Sequence, residues 1–447
     1  MDYERVIGLE VHCELKTNSK MFSASPVTFG EDPNTMINEV DMGMTGTLPC
    51  LNKRGVEFAI RVCHALHMEI DELLCFDRKN YYYSDLPKGF QITQDKRPIG
   101  RNGYLMIEVD GEEKRIDIER LHMEEDTAKQ LHLTDYSLID YNRAGIPLIE
   151  IVTKPCIRSG KEASAYLEAL RQVFLYTEVS DAKLEEGSMR CDVNVSIRPF
   201  GQEEFGTRTE IKNLNSISNV QKAIDYEAGR QQEVIESGGE VLQETRRYDE
   251  VEKVTTVMRS KGDAVDYKYY TEPNILPIRL DHAWVEQIKN ELPMMAGERE
   301  KHYEEEYGIP KVDAKILVST KSMSDYFNEV IKYTKNYKNA SNWLLGDVLA
   351  FLNKNNQSYD DIELNPEYLA KLINFIEDGT ISSKQAKKVF EPMMTENKDP
   401  EKIIEEKGMK QISDPNALKT MANEVLDANP QSIEDFASFI VSSKTLF

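Results

Sequence analysis

The chain has 447 residues and a formal net charge of −23, which argues against a generic nucleic-acid binder because phosphate contacts require lysine and arginine. Its six cysteines lie far apart without a C-x-x-C pair, which argues against a zinc ribbon and a disulfide framework and indicates a reducing, cytoplasmic setting. A chain of this length is too long for one ordinary core, so we expect two or three domains. The N-terminus lacks signal-peptide and transit-peptide character and the apolar runs are too short for a membrane span, so we expect no membrane partner.

Alternation of apolar and polar residues predicts strands within residues 1–290, which form one domain in this interpretation. Three helices are predicted between the strands, at 53–67, 160–177 and 217–237. No regular alternation of strand and helix is visible, so we predict an α+β fold with a large, mainly antiparallel β domain. The predicted strands are 6–15, 104–109, 114–122, 148–152, 189–197 and 207–212.

Helical periodicity dominates the chain from about residue 280 onward. Apolar residues at helical spacing predict helices at 342–352, 366–376 and 382–394. We therefore predict an all-α helical domain at 291–405, followed by a short helical tail at 406–447.

The strand predicted at 189–197 and the strand after it carry an unusual polar face. One side of the first strand presents a guanidinium, a carboxylate and an amide, and the second strand adds a carboxylate and an ammonium group. Acids and bases on adjacent strands suit a bound polyanion with its metal ion, whereas an ordinary solvated face carries scattered lysine, glutamate and threonine. The residues of this predicted site are Arg190, Asp192, Asn194, Glu210 and Lys212.

Candidate metal ligands occur on other predicted strands. Glu10 and His12 lie two residues apart, so they point the same way and can share a metal ion; the alternative is an ordinary polar strand face. Glu125 lies among successive acids, which repel one another unless a cation, bases or solvent neutralise them. Glu150 lies between two isoleucines, where a carboxylate costs free energy unless it is paired or ligating.

The segment 78–91 interleaves basic residues with tyrosines. Such a composition contacts phosphates and stacks on bases or ribose, although an aromatic-rich loop packed on the core has the same pattern. The segment 258–262 offers two cations, with an ordinary basic loop as its alternative. Walker, G-x-G-x-x-G and G-x-S-x-G motifs are absent, so side chains and metal would have to hold the phosphates of any bound nucleotide.

These motifs together resemble those of one enzyme family, the B subunits of the tRNA-dependent amidotransferases. The first motif reads Gly-Leu-Glu-Val-His-Cys-Glu-Leu, and the others follow in the order and spacing of that family. The resemblance covers almost the whole chain. The matching segments are 8–15, 81–91, 122–126, 140–152, 185–199, 206–216, 243–246, 258–261, 266–267, 342–343 and 378–381.

The resemblance implies a three-part, glutamine-dependent ligase that converts Glu-tRNA(Gln) to Gln-tRNA(Gln) and, in many bacteria, Asp-tRNA(Asn) to Asn-tRNA(Asn). Its A subunit, an amidase, releases ammonia from glutamine, and a small C subunit holds the other two together. The misacylated tRNA binds to the B subunit, which uses ATP to phosphorylate the side-chain carboxylate. Two alternatives stay open: a non-catalytic tRNA-docking subunit of the same complex, and a metal-dependent hydrolase that acts alone.

The resemblance also implies roles for individual residues. The implied Mg²⁺ ligands, with Mn²⁺ compatible with the histidine, are Glu10, His12, Glu125 and Glu150. Asp192 and Glu210 would be catalytic groups beside these ligands. The residues implied to contact ATP, phosphate or the tRNA ester are Lys79, Ser84, Lys88, Arg190, Asn194, Lys212 and Asn213.

The sequence departs from the family pattern in several places. Thr45 stands where the family usually has proline, and the segment 270–274 differs from the family, in which it is usually more acidic. The cysteines do not form the paired zinc knuckle of some members, so no structural zinc is expected. After Phe436 the expected Gly-Lys turn and further helix are missing, so we expect a truncated or altered tail, a region that grips the tRNA body in this family.

Overall fold

The chain forms two compact units, Met1–Glu298 and Arg299–Phe447. The computed structural model describes residues 2–260, 267–409 and 415–430. A large sheet dominates the first unit and helices make up the second, which confirms the α+β prediction. The altered tail expected after Phe436 and the end of the basic loop predicted at 258–262 lie outside the described residues. The division predicted at 405–406 stays a prediction.

Strands are confined to the first unit in the described ranges. The strands are β1 Tyr3–Glu14, β2 Glu69–Ile70, β3 Leu73–Leu74, β4 Asp77–Asn80, β5 Phe90–Thr93, β6 Gly100–Val109, β7 Glu112–Glu125, β8 Lys129–His132, β9 Ser137–Asp140, β10 Pro147–Thr153, β11 Met189–Pro199, β12 Thr209–Lys212, β13 Glu244–Asp249, β14 Val254–Ser260, β15 Lys268–Thr271 and β16 Ile278–Arg279. A nine-stranded sheet has the order β14-β13-β12-β11-β1-β10-β7-β6-β2, and each neighbouring pair is antiparallel except β12 and β13. A three-stranded sheet has the order β15-β4-β5.

The helices of the first unit cover one face of the large sheet. They are α1 Lys53–Ala65, α2 Gly160–Tyr176, α3 Ile217–Glu236 and α4 His282–Asn290, and α5 Ala296–Glu305 spans the boundary between the units. α2 packs on β6 and on α3, while α3 packs on β11. Ser159 and Ser216 accept hydrogen bonds from the first-turn amides of α2 and α3, so each helix begins at a side-chain cap.

The central strands separate apolar from polar side chains by their alternation. In β1, Leu9 and Val11 are fully buried in the core beneath α2 and α3, while Glu10 and His12 point to the opposite face. Strands β10, β11 and β7 repeat this division with Ile149, Val193 and Met123 in the core. The large sheet therefore has one hydrophobic face, which packs in the core, and one polar face, whose side chains are available to bind ligands.

The second unit is helical throughout its described part. Asn365 caps α10, and a capping box at Ser382 starts α11, so both helices begin where their sequences predict. The helix predicted at 342–352 is broken into two α-helices joined by a π-helical turn at Leu344–Val348. The α-helices are α6 Lys311–Leu317, α7 Lys321–Val330, α8 Tyr337–Trp343, α9 Leu349–Lys354, α10 Pro366–Glu377, α11 Ser383–Glu396, α12 Pro400–Glu406 and α13 Pro415–Asp427.

The described helices are too short or too polar to span a bilayer. None of them, within 2–260, 267–409 and 415–430, combines the length and the apolar character needed to cross a membrane.

A buried acid secures the strands that carry part of the polar face. The Glu227 side chain on α3 is fully buried and accepts hydrogen bonds from Arg230 at 2.7 and 2.9 Å and from Thr255 at 2.8 Å. Arg246 on β13 approaches the same carboxylate at 3.5 Å. Gln231 continues the network from α3 to the backbone carbonyl oxygen of Val195 on β11. These bonds hold the helix against the only parallel strand pair of the described sheet.

We predict that Glu227→Ala lowers the free energy of unfolding by about 3 kcal/mol, because the buried Arg246 and the partly buried Arg230 lose one carboxylate partner and keep only Glu244. The measurement is chemical denaturation of the purified chain. Glu233→Ala, an exposed change on the same helix, is the matched control and should alter stability by less than about 0.5 kcal/mol. Equal effects of the two substitutions would show that the network does not support the sheet.

Candidate active site

Five adjacent strands bring polar residues to one face of the large sheet. In the β1–β10 pair His12 lies opposite Glu150, and in the β10–β7 pair Glu150 lies opposite His122. On the other side of β1, Glu10 lies opposite Asp192 of β11. Directly opposed residues in an antiparallel pair project to the same side, so segments remote in sequence meet here.

Two histidines and two glutamates form the first group, which we name the histidine–glutamate cluster: His12, His122, Glu124 and Glu150. The ligand atoms of His12, Glu124 and Glu150 lie within 4.8 Å of one another. The Nδ1 atom of His12 lies 3.3 Å from Oε1 of Glu124 and 3.8 Å from Oε2 of Glu150. The Nε2 atom of His122 lies 3.3 Å from Oε2 of Glu150. Imidazole and carboxylate groups thus converge on one point.

The charges of the cluster balance internally. Burial alone would lower the pKa of His122, but the carboxylates of Glu150 and Glu124 raise it to about 9. Burial would raise the pKa of Glu150, but His122 and His12 lower it to about 2. The pKa of Glu124 is likewise held below its usual value, against the effect of burial, by hydrogen bonds to the two histidines. Protonated imidazoles therefore supply the positive charge that two buried carboxylates require.

Three carboxylates form the second group, which we name the acid trio: Glu10, Asp192 and Glu210. Their ligand oxygens also lie within 4.8 Å of one another. The Nζ atom of Lys212 donates to Asp192 at 2.5 Å and lies 3.1 Å from Glu210, while the Asn194 amide donates to Glu10 at 3.0 Å. Burial, followed by the neighbouring carboxylates, raises the pKa of Glu10. Lys212 contacts two of the three carboxylates, and a cation bound among them would reduce their mutual repulsion.

The donor set of the histidine–glutamate cluster fits a divalent cation. Carboxylate oxygens suit Mg²⁺ and Mn²⁺, and a histidine nitrogen among them favours Mn²⁺. In the metal-bound state His12 would bind as the neutral imidazole, because a ligating nitrogen cannot keep its proton. The Nδ1 atom of His122 is buried without a described hydrogen-bond partner, so its ring orientation depends on the contacts of its Nε2 atom.

The geometry separates Glu125 from the cluster. Lys88 donates to both carboxylate oxygens of Glu125 at 2.5 Å, and the Ile92 amide donates to one of them at 3.0 Å. Successive strand residues point to opposite sides, so Glu124 shares the direction of His122 and Glu125 does not. The expected convergence of Glu125 with His12 and Glu150 is not found, and Glu124 occupies that place instead. The role of Glu125 as a ligand stays a prediction that this geometry does not support.

The remaining candidate residues divide into those near the two groups and those apart from them. Burial would lower the pKa of Lys79, but the nearby carboxylates, first that of Glu124, raise it. Arg190 donates to Asp126 at 2.6 Å, at the end of β7. Ser84 is exposed and accepts a hydrogen bond from Gln130, in contact with neither group. Asn213 is also exposed and takes a left-handed conformation, with φ at 61°, directly after Lys212.

Sequence reasoning missed several residues of this face. The acidic segment 122–126 was identified, but Glu124 and His122 were not chosen as site residues, although their two-residue spacing on a strand carries the same signal that identified Glu10 and His12. Glu14 and Asp126 form a second pair that was not assigned to the site. Burial and the Asp126 carboxylate raise the pKa of Glu14 to about 8, while Arg190 and Arg143 oppose the effect. No local pattern identifies this pair, because Glu14 ends β1 while Asp126, remote in sequence, lies just after the end of β7.

Comparison with known proteins identifies the family. A family model described as the GatB/GatE catalytic domain matches residues 5–286, and one described as the GatB domain matches residues 325–439. The B subunits of aspartyl/glutamyl-tRNA(Asn/Gln) amidotransferase from Oceanobacillus iheyensis and Staphylococcus carnosus are each 53% identical to this chain, and that from Geobacillus thermodenitrificans is 51% identical. Each match covers 98% of this chain and 92% of the relative. The chain therefore belongs to the GatB/GatE family of amidotransferase B subunits.

Proposed function

We propose that this chain is the phosphorylating and amidating subunit of a tRNA-dependent amidotransferase. In this proposal it acts with an amidase, the A subunit, and with a small C subunit on misacylated Glu-tRNA(Gln), Asp-tRNA(Asn) or both. The names of its relatives support the reaction class. The observation that carries the chemical proposal is the convergence of His12, Glu124 and Glu150 on one point. We infer a cytoplasmic setting because the product is used in translation.

The proposed reaction has two steps. A carboxylate is a poor electrophile at neutral pH, so an oxygen of the substrate side chain first attacks the γ-phosphorus of ATP and ADP leaves. Ammonia from the amidase then attacks the carbonyl carbon of the acyl phosphate. Inorganic phosphate leaves, and the product is the side-chain amide. Phosphoryl transfer of this kind depends on positioning and charge neutralisation rather than on a protein nucleophile.

The residues of the polar face supply that positioning and charge. His12, Glu124 and Glu150 would hold a divalent cation, Mg²⁺ or Mn²⁺, which when bound neutralises phosphate oxygens. The same carboxylates interact electrostatically with Lys79, and its ammonium group is suited to binding a phosphate or a substrate carboxylate. The acid trio would hold a second cation beside Lys212. Asn194 orients Glu10 through its amide.

The alternative of a non-catalytic tRNA-docking subunit has less support from the geometry. A docking surface does not require buried acids, and burying carboxylates costs free energy unless they are paired or bind a cation. Glu124 and Glu150 are both almost fully buried. A hydrolase that acts alone is compatible with the same cluster, and the requirement for ATP separates it from the proposal.

We predict that Glu124→Gln lowers ATP turnover that depends on misacylated tRNA by about 100-fold, because it removes one charge from the cation site. The measurement uses the complex assembled with both partner subunits. Glu119→Gln, an exposed change on the same strand, is the matched control and should retain normal turnover. Glutamine hydrolysis by the amidase should survive both substitutions. Turnover by Glu124→Gln equal to that of Glu119→Gln would contradict the proposed role.

Binding of a divalent cation can be tested without partner subunits. We predict that Mn²⁺ raises the Tm of the isolated chain by several degrees, since a ligand at about 100 times its Kd stabilises the native state by about 2.7 kcal/mol. His12→Ala and Glu150→Gln should each reduce this shift, and any remainder would come from the acid trio. His132→Ala, which removes an exposed histidine, should leave it unchanged. A shift of full size in both cluster variants would place the bound cation outside the histidine–glutamate cluster.

A further inference from the structure

The three-stranded sheet carries a row of tyrosines next to the histidine–glutamate cluster. Strand β4 is its centre, with β15 on one side and β5 on the other. Tyr269 lies directly opposite Lys79 in the β15–β4 pair. Tyr81 directly follows β4 and Tyr267 directly precedes β15, and the Tyr267 ring lies against both Lys79 and Tyr81. We name Tyr81, Tyr267 and Tyr269 the tyrosine wall.

Direct contacts confirm this assignment. The ring of Tyr267 lies 4.6 Å from the Nζ atom of Lys79, measured to the ring centre. The same ring packs edge-on against Tyr81, with 5.3 Å between ring centres and an angle of 88°. On the third strand, Thr93 shares this side of the sheet, and its hydroxyl lies 3.5 Å from Oε2 of Glu124. The side of the sheet that carries the tyrosine wall is therefore the side that faces the cluster.

The wall keeps aromatic surface accessible beside deeply buried acids. Tyr267 is 41% exposed and Tyr269 is 38% exposed, whereas Glu124 is 3% exposed. Packing explains Tyr81, which lies under Tyr267, but it does not explain why two further rings point inward and stay uncovered. Two residues along a strand span about 7 Å, close to the length of a nucleoside. Lys79 lies over one face of the Tyr267 ring, and an aromatic ring with a cation beside it is suited to binding a nucleobase and its phosphate.

We propose that the tyrosine wall stacks on the adenine ring of an adenosine whose phosphate or ester lies at the histidine–glutamate cluster. This inference rests on the proposed function, because that reaction brings adenosine here from two sources. One is ATP, and the other is the terminal adenosine of the tRNA, whose ribose carries the amino acid. Both join an adenine to the group that reacts, so either one would lie between the wall and the cluster.

Tyr270 provides a matched control on the same strand. It lies opposite Arg78, one residue out of phase with the wall, so its ring is on the other side of the sheet and 57% exposed. Tyr270→Ala removes the same chemical group from the same strand as Tyr269→Ala. The phenylalanine variants Tyr267→Phe and Tyr269→Phe keep a stacking ring and remove only the hydroxyl.

The experiment uses the complete complex with its two partner subunits. Calorimetry measures binding of a non-hydrolysable ATP analogue and of inorganic tripolyphosphate, which has the phosphates but no adenine. Steady-state kinetics give the KM for misacylated tRNA. Tyr267→Ala and Tyr269→Ala should each weaken one adenosine ligand by about tenfold, the analogue or the tRNA, and leave tripolyphosphate binding unchanged. The phenylalanine variants should recover most of the affinity that the alanine variants lose, and Tyr270→Ala should behave like the unmodified complex.

The outcomes separate the two sources and the competing explanations. Weaker binding of the analogue identifies ATP as the occupant, and a higher KM for tRNA alone identifies the terminal adenosine. Unchanged affinity for both, or an equal loss of tripolyphosphate binding, overturns the inference. Loss of a partner protein from the complex in Tyr267→Ala but not in Tyr270→Ala would identify a protein contact and also overturn it. Failure of the unmodified complex to consume ATP would instead contradict the proposed function.

Discussion

The two-residue alternation of side chains along five adjacent strands is the constraint on which the rest of the first unit depends. It directs the apolar residues of β1, β10 and β11 into the core beneath α2 and α3, and it leaves the other face of the same strands for charged groups. A slip of one residue in any pairing would reverse the two faces. The long β1–β11 pairing, which extends from Tyr3 to Cys13, makes such a slip very costly in buried apolar area.

Several carboxylates on one face of the sheet repel one another, and nearby cationic side chains offset this repulsion. His12 and His122 compensate Glu124 and Glu150, while Lys212 compensates part of the acid trio. A divalent cation at the same point would replace the proton of His12, because a ligating nitrogen must be neutral. Without the cation, the two histidines offset the charge of the buried carboxylates, so the acids of the proposed cation site cost less free energy.

Sequence reasoning recovered the elements with strong local periodicity and missed those without it. It predicted the polar face of β11, which the structure shows in the register of Asp192 with Glu10. It missed β13, because the stretch Glu244–Asp249 is polar at successive positions and acquires its strand character from pairing with β12 and β14. The choice of Glu125 over Glu124 came from family resemblance, and strand alternation alone favours Glu124. The pairing of Glu14 with Asp126 depends on sheet order, which one sequence does not specify.

Net charge alone is a poor guide to nucleic-acid recognition in this chain. Contacts with phosphates scale with the number of lysines and arginines and weaken as salt rises, so a chain with a net charge of −23 gains little from them. Stacking of a base on a tyrosine requires no net positive charge, because every base has an aromatic face. Lys79 adds one local cation where the acids of the cluster hold it in place. The proposed stacking would let an acidic protein bind the reactive end of a nucleic acid through ring surface and one ammonium group.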